Sequence, residues 1–130
     1  MSDDVIHQEV SFAASPKQVY EALMDEKRHA AFTGGKAKIS REPGGAYTCH
    51  DGQIVGRNLE LEDAKRIVQA WRVAAWPEGV YSVVRFELAK DGKGTKLTLD
   101  HAGVPAEGRD MVAQGWQVRY WEPMAKYLAG

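Results

Sequence analysis

Most of what would announce a function is missing from this chain. There is one cysteine, Cys49, so no internal disulfide can form and nothing points to an oxidising compartment. No apolar run approaches the ~18 residues of a membrane span. The start, MSDDVIHQEV, is acidic and polar where a signal peptide needs a basic and then an apolar run. Seventeen basic against eighteen acidic side chains leave a net charge of -1, without the basic excess that nucleic acid demands. Metal-ligand spacings such as HExxH or CxxC are absent, and His7, His29, His50 and His101 fall on different elements. No GxSxG surrounds Ser11, Ser15, Ser40 or Ser82, and no glycine pair opens a long helix after a parallel strand as a phosphate cradle would. These absences predict a cytoplasmic, single-domain protein over 1–130, with no metal, cofactor, nucleic acid or membrane partner, as monomer or homodimer.

What is present is a chain long enough for a real core, 130 residues with 44% apolar content. Residues 51–85 organise it. They alternate rather than recur at helical spacing, and predict consecutive antiparallel strands over 53–61, 66–74 and 80–89. Before them, 5–13 reads as a half-buried strand. Ser15-Pro16-Lys17-Gln18 is a helix start with a capping box, giving a short helix over 16–24. Asp25 caps a second over 26–32, ended by Gly34-Gly35. Strands over 36–41 and 46–50 flank Pro43-Gly44-Gly45, and Asp51-Gly52 signals a two-residue hairpin. Strand 95–101 alternates cleanly, Leu97, Leu99 and His101 on one face. The cover is a helical pattern over 106–128 with Val112, Trp116, Tyr120, Met124 and Tyr127 on one stripe. Within it Gly115 allows close backbone approach, and Pro123 predicts a bend near 119–123. The whole is α+β, in the order β-α-α-β6-α, a curved antiparallel sheet gripping a long C-terminal helix.

That order is the helix-grip arrangement of START-like domains, and several segments make the likeness more specific. DGQIVG at 51–56, KRIVQAWR at 65–72 and WPEGVYSVV at 76–84 resemble the C-terminal domain of the activator of the heat-shock protein 90 ATPase. Gly44-Gly45, TKLTL at 95–99, Gly103-Val104-Pro105 and Gly115-Trp116 continue the match in order. The resemblance departs at the second short helix, where many relatives carry a tryptophan and this chain has Ala30-Ala31-Phe32. It implies a groove or cavity between sheet and long helix, and a heat-shock protein 90 type chaperone as one expected partner. In the eukaryotic activator an N-terminal domain supplies much of the chaperone contact, and this chain has no length for that domain. The wider superfamily also includes carriers of apolar ligands and polyketide cyclases.

The expected lining of such a cavity is Trp71, Leu97, Leu99, His101, Trp116, Tyr120 and Met124, suited to an apolar small molecule. Tyr120 carries a hydroxyl able to orient a ligand. His101 reads either as a titratable imidazole on the cavity wall or as a hydrogen-bonded residue at a wet strand end. Arg72 reads either as a polar cavity group clamping a carboxylate or as a cross-strand ion pair with Glu60 or Glu87. Trp76, in its Pro-Glu-Gly loop, reads as a partner-contact anchor or as a lid tucked over the sheet. No catalytic set emerges. The leading expectation is a non-enzymatic binding protein. The alternative is a cyclase/aromatase-like or hydrolase-like enzyme acting on an aromatic or polyketide-like substrate through His101 or Arg72.

Overall fold

The computed structural model describes residues 5–129. The acidic start at 1–4, on which part of the signal-peptide reading rests, and residue 130 lie outside them. Seven strands form one antiparallel sheet in the order β1-β7-β6-β5-β4-β3-β2. They are β1 (Val5–Phe12), β2 (Lys38–Ile39), β3 (Ala46–Cys49), β4 (Ile54–Glu62), β5 (Arg66–Val73), β6 (Ser82–Asp91) and β7 (Gly94–Ala102). The last six run as a meander, and β1 closes onto β7 with eight residues in register. Helices α1 (Pro16–Met24) and α2 (Glu26–Thr33) follow β1, and a C-terminal helical segment lies across the sheet. This is the expected helix-grip order.

Local chemistry accounts for the short helices. Ser15 Oγ accepts from the Gln18 amide at 3.2 Å while Gln18 Oε1 accepts from the Ser15 amide at 3.0 Å, closing the capping box. Asp25 Oδ1 accepts from the amides of Lys27 and Arg28 at 2.9 and 3.1 Å. Along β5, β6 and β7, alternate residues Ile67 and Trp71, Val84, Phe86 and Leu88, and Leu97 and Leu99 enter one core. Polar residues on that face are satisfied. Asn58, fully buried at a bulge in β4, donates to the carbonyls of Ser40 and Glu42 and accepts from Gln69 Nε2 at 3.1 Å.

Three expectations change in detail. The strand over 36–41 shrinks to β2, where the Ile39 amide is taken by Glu26 Oε1 at 3.1 Å instead of continuing a ladder. Asp51-Gly52 does not make a two-residue hairpin. The chain forms a 3₁₀ turn over His50–Gly52, with His50 and Asp51 at φ of 52° and 59°, a left-handed conformation costly for both. That turn is pinned to the preceding segment by Asp51 N–H to Lys36 O and Lys36 N–H to Asp51 Oδ1, at 3.1 and 3.0 Å.

The C-terminal segment is not one α-helix. A 3₁₀ turn at Ala106–Gly108 leads into α3 (Arg109–Gly115), a π turn over Trp116–Trp121, and α4 (Glu122–Ala129). Pro123 has no amide to offer the Arg119 carbonyl, and the helix widens immediately before it. A π turn advances the phase by one residue, so Trp121 joins Trp116, Tyr120 and Met124 on the buried side. Its indole stacks on Trp116 at 5.7 Å and donates to Gln8 Oε1 at 2.7 Å, tying the helix to the edge strand. Among the described residues, no helix is long and apolar enough to cross a membrane.

Gly56 on β4 is required by its neighbours. A Cβ there would collide with the Ala70 carbonyl oxygen and the Tyr47 hydroxyl, which are themselves bonded at 2.8 Å. Gly56→Ala is expected to lower stability by about 2–3 kcal/mol, combining overpacking with a disturbed hydrogen bond. Urea denaturation checks this; an unchanged midpoint would refute it.

Candidate functional site: a groove between sheet and helix

A groove with a volume of about 220 Å³ opens between the C-terminal helix and the β4–β5 end of the sheet. Ile54, Trp71 and Val73 form its floor; Val112, Gly115, Trp116 and Tyr120 form its roof. His50, Gln53, Met111 and Arg119 complete the lining at the mouth, the last three of them exposed. No atom outside the local helix lies within 4 Å of where a Cβ on Gly115 would sit. This glycine therefore leaves room in the groove and does not serve close backbone approach. Behind Tyr120 and Trp116 lies a second void of about 20 Å³, too small for more than one water molecule.

Of the expected lining, Trp71, Trp116 and Tyr120 face the groove. Leu97, Leu99 and Met124 are fully buried in the closed core and do not reach it. His101 is 0% exposed, neither a wet strand end nor a groove wall. Ser82 Oγ gives its single proton to the Trp71 carbonyl at 2.8 Å, so His101 Nε2–H must donate to Ser82 Oγ, also at 2.8 Å. Nδ1 then accepts from the Trp116 indole at 3.1 Å. The neutral tautomer is thereby fixed, and both ring nitrogens are occupied. Burial pushes this imidazole down to about 3.

Arg72 does not line the groove and, among the described residues, forms no ion pair. Strand alternation sends it away from Trp71, and its guanidinium donates to the carbonyls of Val80, Trp76 and Pro77 at 3.2, 2.6 and 3.1 Å. The carboxylates expected for it, Glu60 and Glu87, are taken by Arg66 at 3.0 and 3.1 Å. The clamped loop folds Trp76 back onto Trp71, ring centres 5.7 Å apart, half-buried in the manner of a lid.

Sequence reasoning missed the polar centre behind the groove. The Tyr120 hydroxyl lies 2.8 Å from His29 Nε2 and 3.1 Å from His50 Nε2. One phenolic proton serves only one of the two rings, so the other must donate to the oxygen. His29 Nδ1 is buried with no partner among the described residues. A bare lone pair is cheaper there than a stranded N–H, which makes Nε2–H of His29 the donor, and the Tyr120 hydroxyl is shared further with His50 and the Cys49 thiol. The hydroxyl is thus engaged inward and is not offered to a ligand. Burial, then the neighbouring His50, lower His29 to about 4; burial, then Arg119, lower His50. Burial holds the Tyr120 hydroxyl well above the usual phenol range and pushes the Cys49 thiol up to about 12, so neither is a ready nucleophile. Phe32, at the point of departure noted above, packs on His29, Tyr120 and Tyr127 and fills that end of the interface. Among the described residues, no group of histidine, cysteine and carboxylate side chains is placed to hold a metal ion.

Residues 13–129 match the model of the family described as Activator of Hsp90 ATPase homolog 1-like protein. The chain belongs to this family. It is 30% identical to the human activator of 90 kDa heat shock protein ATPase homolog 1 over 112 residues, 86% of this chain and 33% of that protein. It therefore spans about a third of the length of the curated relatives it matches. Among solved structures, an HSP90 activator from Plasmodium falciparum superposes with a TM-score of 0.91 at 22% identity, covering 96% of both chains. An Aha1 dimer from Colwellia psychrerythraea gives 0.82 at 16% identity over 95% of each. The fold is the START-like one of these neighbours.

The buried histidines set a pH dependence. A histidine with a folded value below its ordinary 6.5 contributes stability at neutral pH that is lost as pH falls from 6.5 toward the folded value. For His29 and His101 the loss is about 2 kcal/mol each between pH 6.5 and pH 5. Exposed His7, raised by its hydrogen bonds to Asp100 and Glu9, opposes this, since its contribution is present below 6.5 and lost as pH rises. Chemical denaturation at pH 7 and pH 5 should show a net loss of stability. A flat profile over that window would contradict the neutral, buried assignment.

Proposed function

We propose that this family member is a non-enzymatic binding domain whose groove holds an apolar small molecule. The observation that carries the reading is the groove itself: about 220 Å³ between sheet and helix, walled by Trp71, Trp116, Tyr120, Ile54 and Val73. That volume lies below the ~300–1,000 Å³ of drug-sized sites, which limits the occupant to a compact molecule. The cyclase- or hydrolase-like alternative was built on His101 and Arg72, and neither reaches the groove. His101 has both nitrogens engaged and Arg72 holds a loop, so no proton-transfer group is left in the role assigned to it. The proposed location is the cytoplasm.

A second reading, contact with a heat-shock protein 90 type chaperone, is supported by family membership and by the names of the human and Plasmodium relatives. Trp76 is a poor anchor for it, being folded onto Trp71. Better candidates are Met111 and Val118 on the outer helix, 78% and 54% exposed. Self-association is a further candidate, prompted by the Colwellia dimer.

Native mass spectrometry of freshly purified protein tests the groove. The expected result is a discrete extra mass that disappears on denaturation and is absent from Gly115→Leu. Gly115 has helical backbone angles, a Cβ there meets no atom within 4 Å, and leucine is a good helix former. No extra mass on the native protein, or one retained by a folded Gly115→Leu, would contradict the reading.

A further inference from the structure

The groove's polar groups are all on one side of the charge question. Arg119 is the only charged residue among those lining it, and no aspartate or glutamate joins it. Arg41, Arg66 and Arg85 each take carboxylates. Arg119 has no ion pair or hydrogen bond among the described residues, yet its charge reaches the mouth strongly enough to lower the neighbouring His50. Asp51, adjacent in sequence, is turned to the Lys36 amide and does not line the groove. Gln53 adds a carboxamide to the lining, and His50 an imidazole. The lining therefore carries one positive charge, that of Arg119, and no carboxylate, with Asp51 acting on it only from outside.

We infer that the groove takes a compact planar molecule with an aromatic body and one carboxylate. Its ring lies along Ile54, Trp71 and Val73 on the floor, beneath Val112 and Gly115, and its carboxylate stays at the mouth against Arg119. The arrangement divides the work physically. Aromatic walls reward burial of a flat apolar body with little lost freedom. The guanidinium fork presents paired donors matched to a carboxylate, and its position at the rim spares the anion full desolvation. A neutral molecule of the same shape fills the walls but leaves Arg119 unmatched. This inference rests on the groove being a ligand site and adds the ligand's chemical class.

Amide and indole NMR titrations of the full chain with 2-naphthoate and with its neutral isostere 2-naphthamide test it. The expected result is that 2-naphthoate binds about tenfold tighter, perturbing the Trp71 and Trp116 indoles and the Gly115 amide. The preference should shrink as salt is raised. In Arg119→Gln, an exposed-site change, naphthamide binding should be unaltered and the preference for naphthoate lost. Equal binding of the two probes, or a preference that survives Arg119→Gln, overturns the inference while leaving the groove reading intact. Failure of both probes to perturb groove residues at millimolar concentration refutes the groove reading and the inference with it.

Discussion

The hydroxyl of Tyr120, held between His29 and His50, is the joint on which the groove depends. It connects three pieces of chain: the short α2, the strained turn after β3, and the π-wound middle of the C-terminal helix. An eight-residue helix such as α2 has little stability of its own. A turn with two consecutive left-handed non-glycine residues needs support from outside itself. Both receive part of it through one oxygen atom in a low-dielectric interior, where an unmade hydrogen bond costs more than at the surface. His101 performs the same service on the other side, linking β6, β7 and the helix through Ser82 and Trp116.

The groove follows from how the helix is wound. A straight α-helix would present one aromatic stripe and lie evenly on the sheet. The π turn before Pro123 adds Trp121 to the buried side, and its contacts with Trp116 and Gln8 draw the helix toward the β1 edge. At the opposite end, over β4 and β5, the helix carries Gly115 where a side chain would otherwise fill the space. Packing is dense near β1 and β7 and open near β4, with Trp71 and Trp116 on the boundary. Arg72 and its loop close the remaining side by laying Trp76 on Trp71. Of the histidines that anchor the structure, His29 and His101 are buried, while His50 also borders the groove.

Much of the architecture was legible because it is written in local chemistry. Ser15 and Gln18 announce a helix start, and Leu97, Leu99 and His101 alternate as a strand must. The order of elements and the motifs at 51–56, 76–84 and 103–105 were enough for the family. The site was legible only in part, and for a physical reason. Strand alternation states which face a residue takes, as it did for Trp71 and Arg72, but not whether that face is open or filled at that point. Leu97 and Trp71 share a face, yet one is core and the other borders a groove. The His29–Tyr120–His50 contact joins residues 70 and 91 positions apart, and no spacing rule reaches across that distance. Pro123 signalled a bend; that the bend would be a π turn recruiting Trp121 depends on packing against Gln8, which the helix periodicity does not contain.

Equilibrium unfolding of Tyr120→Phe at neutral pH tests the central joint most directly. The substitution keeps the ring and its aromatic contacts and removes only the oxygen that His29 and His50 share. The account predicts a loss of about 2 kcal/mol, the cost of leaving a buried imidazole N–H without an acceptor. A change within about 0.5 kcal/mol, ordinary for an inconsequential substitution, would mean that the three elements are held by apolar packing alone and that the histidine–tyrosine joint does not support the groove.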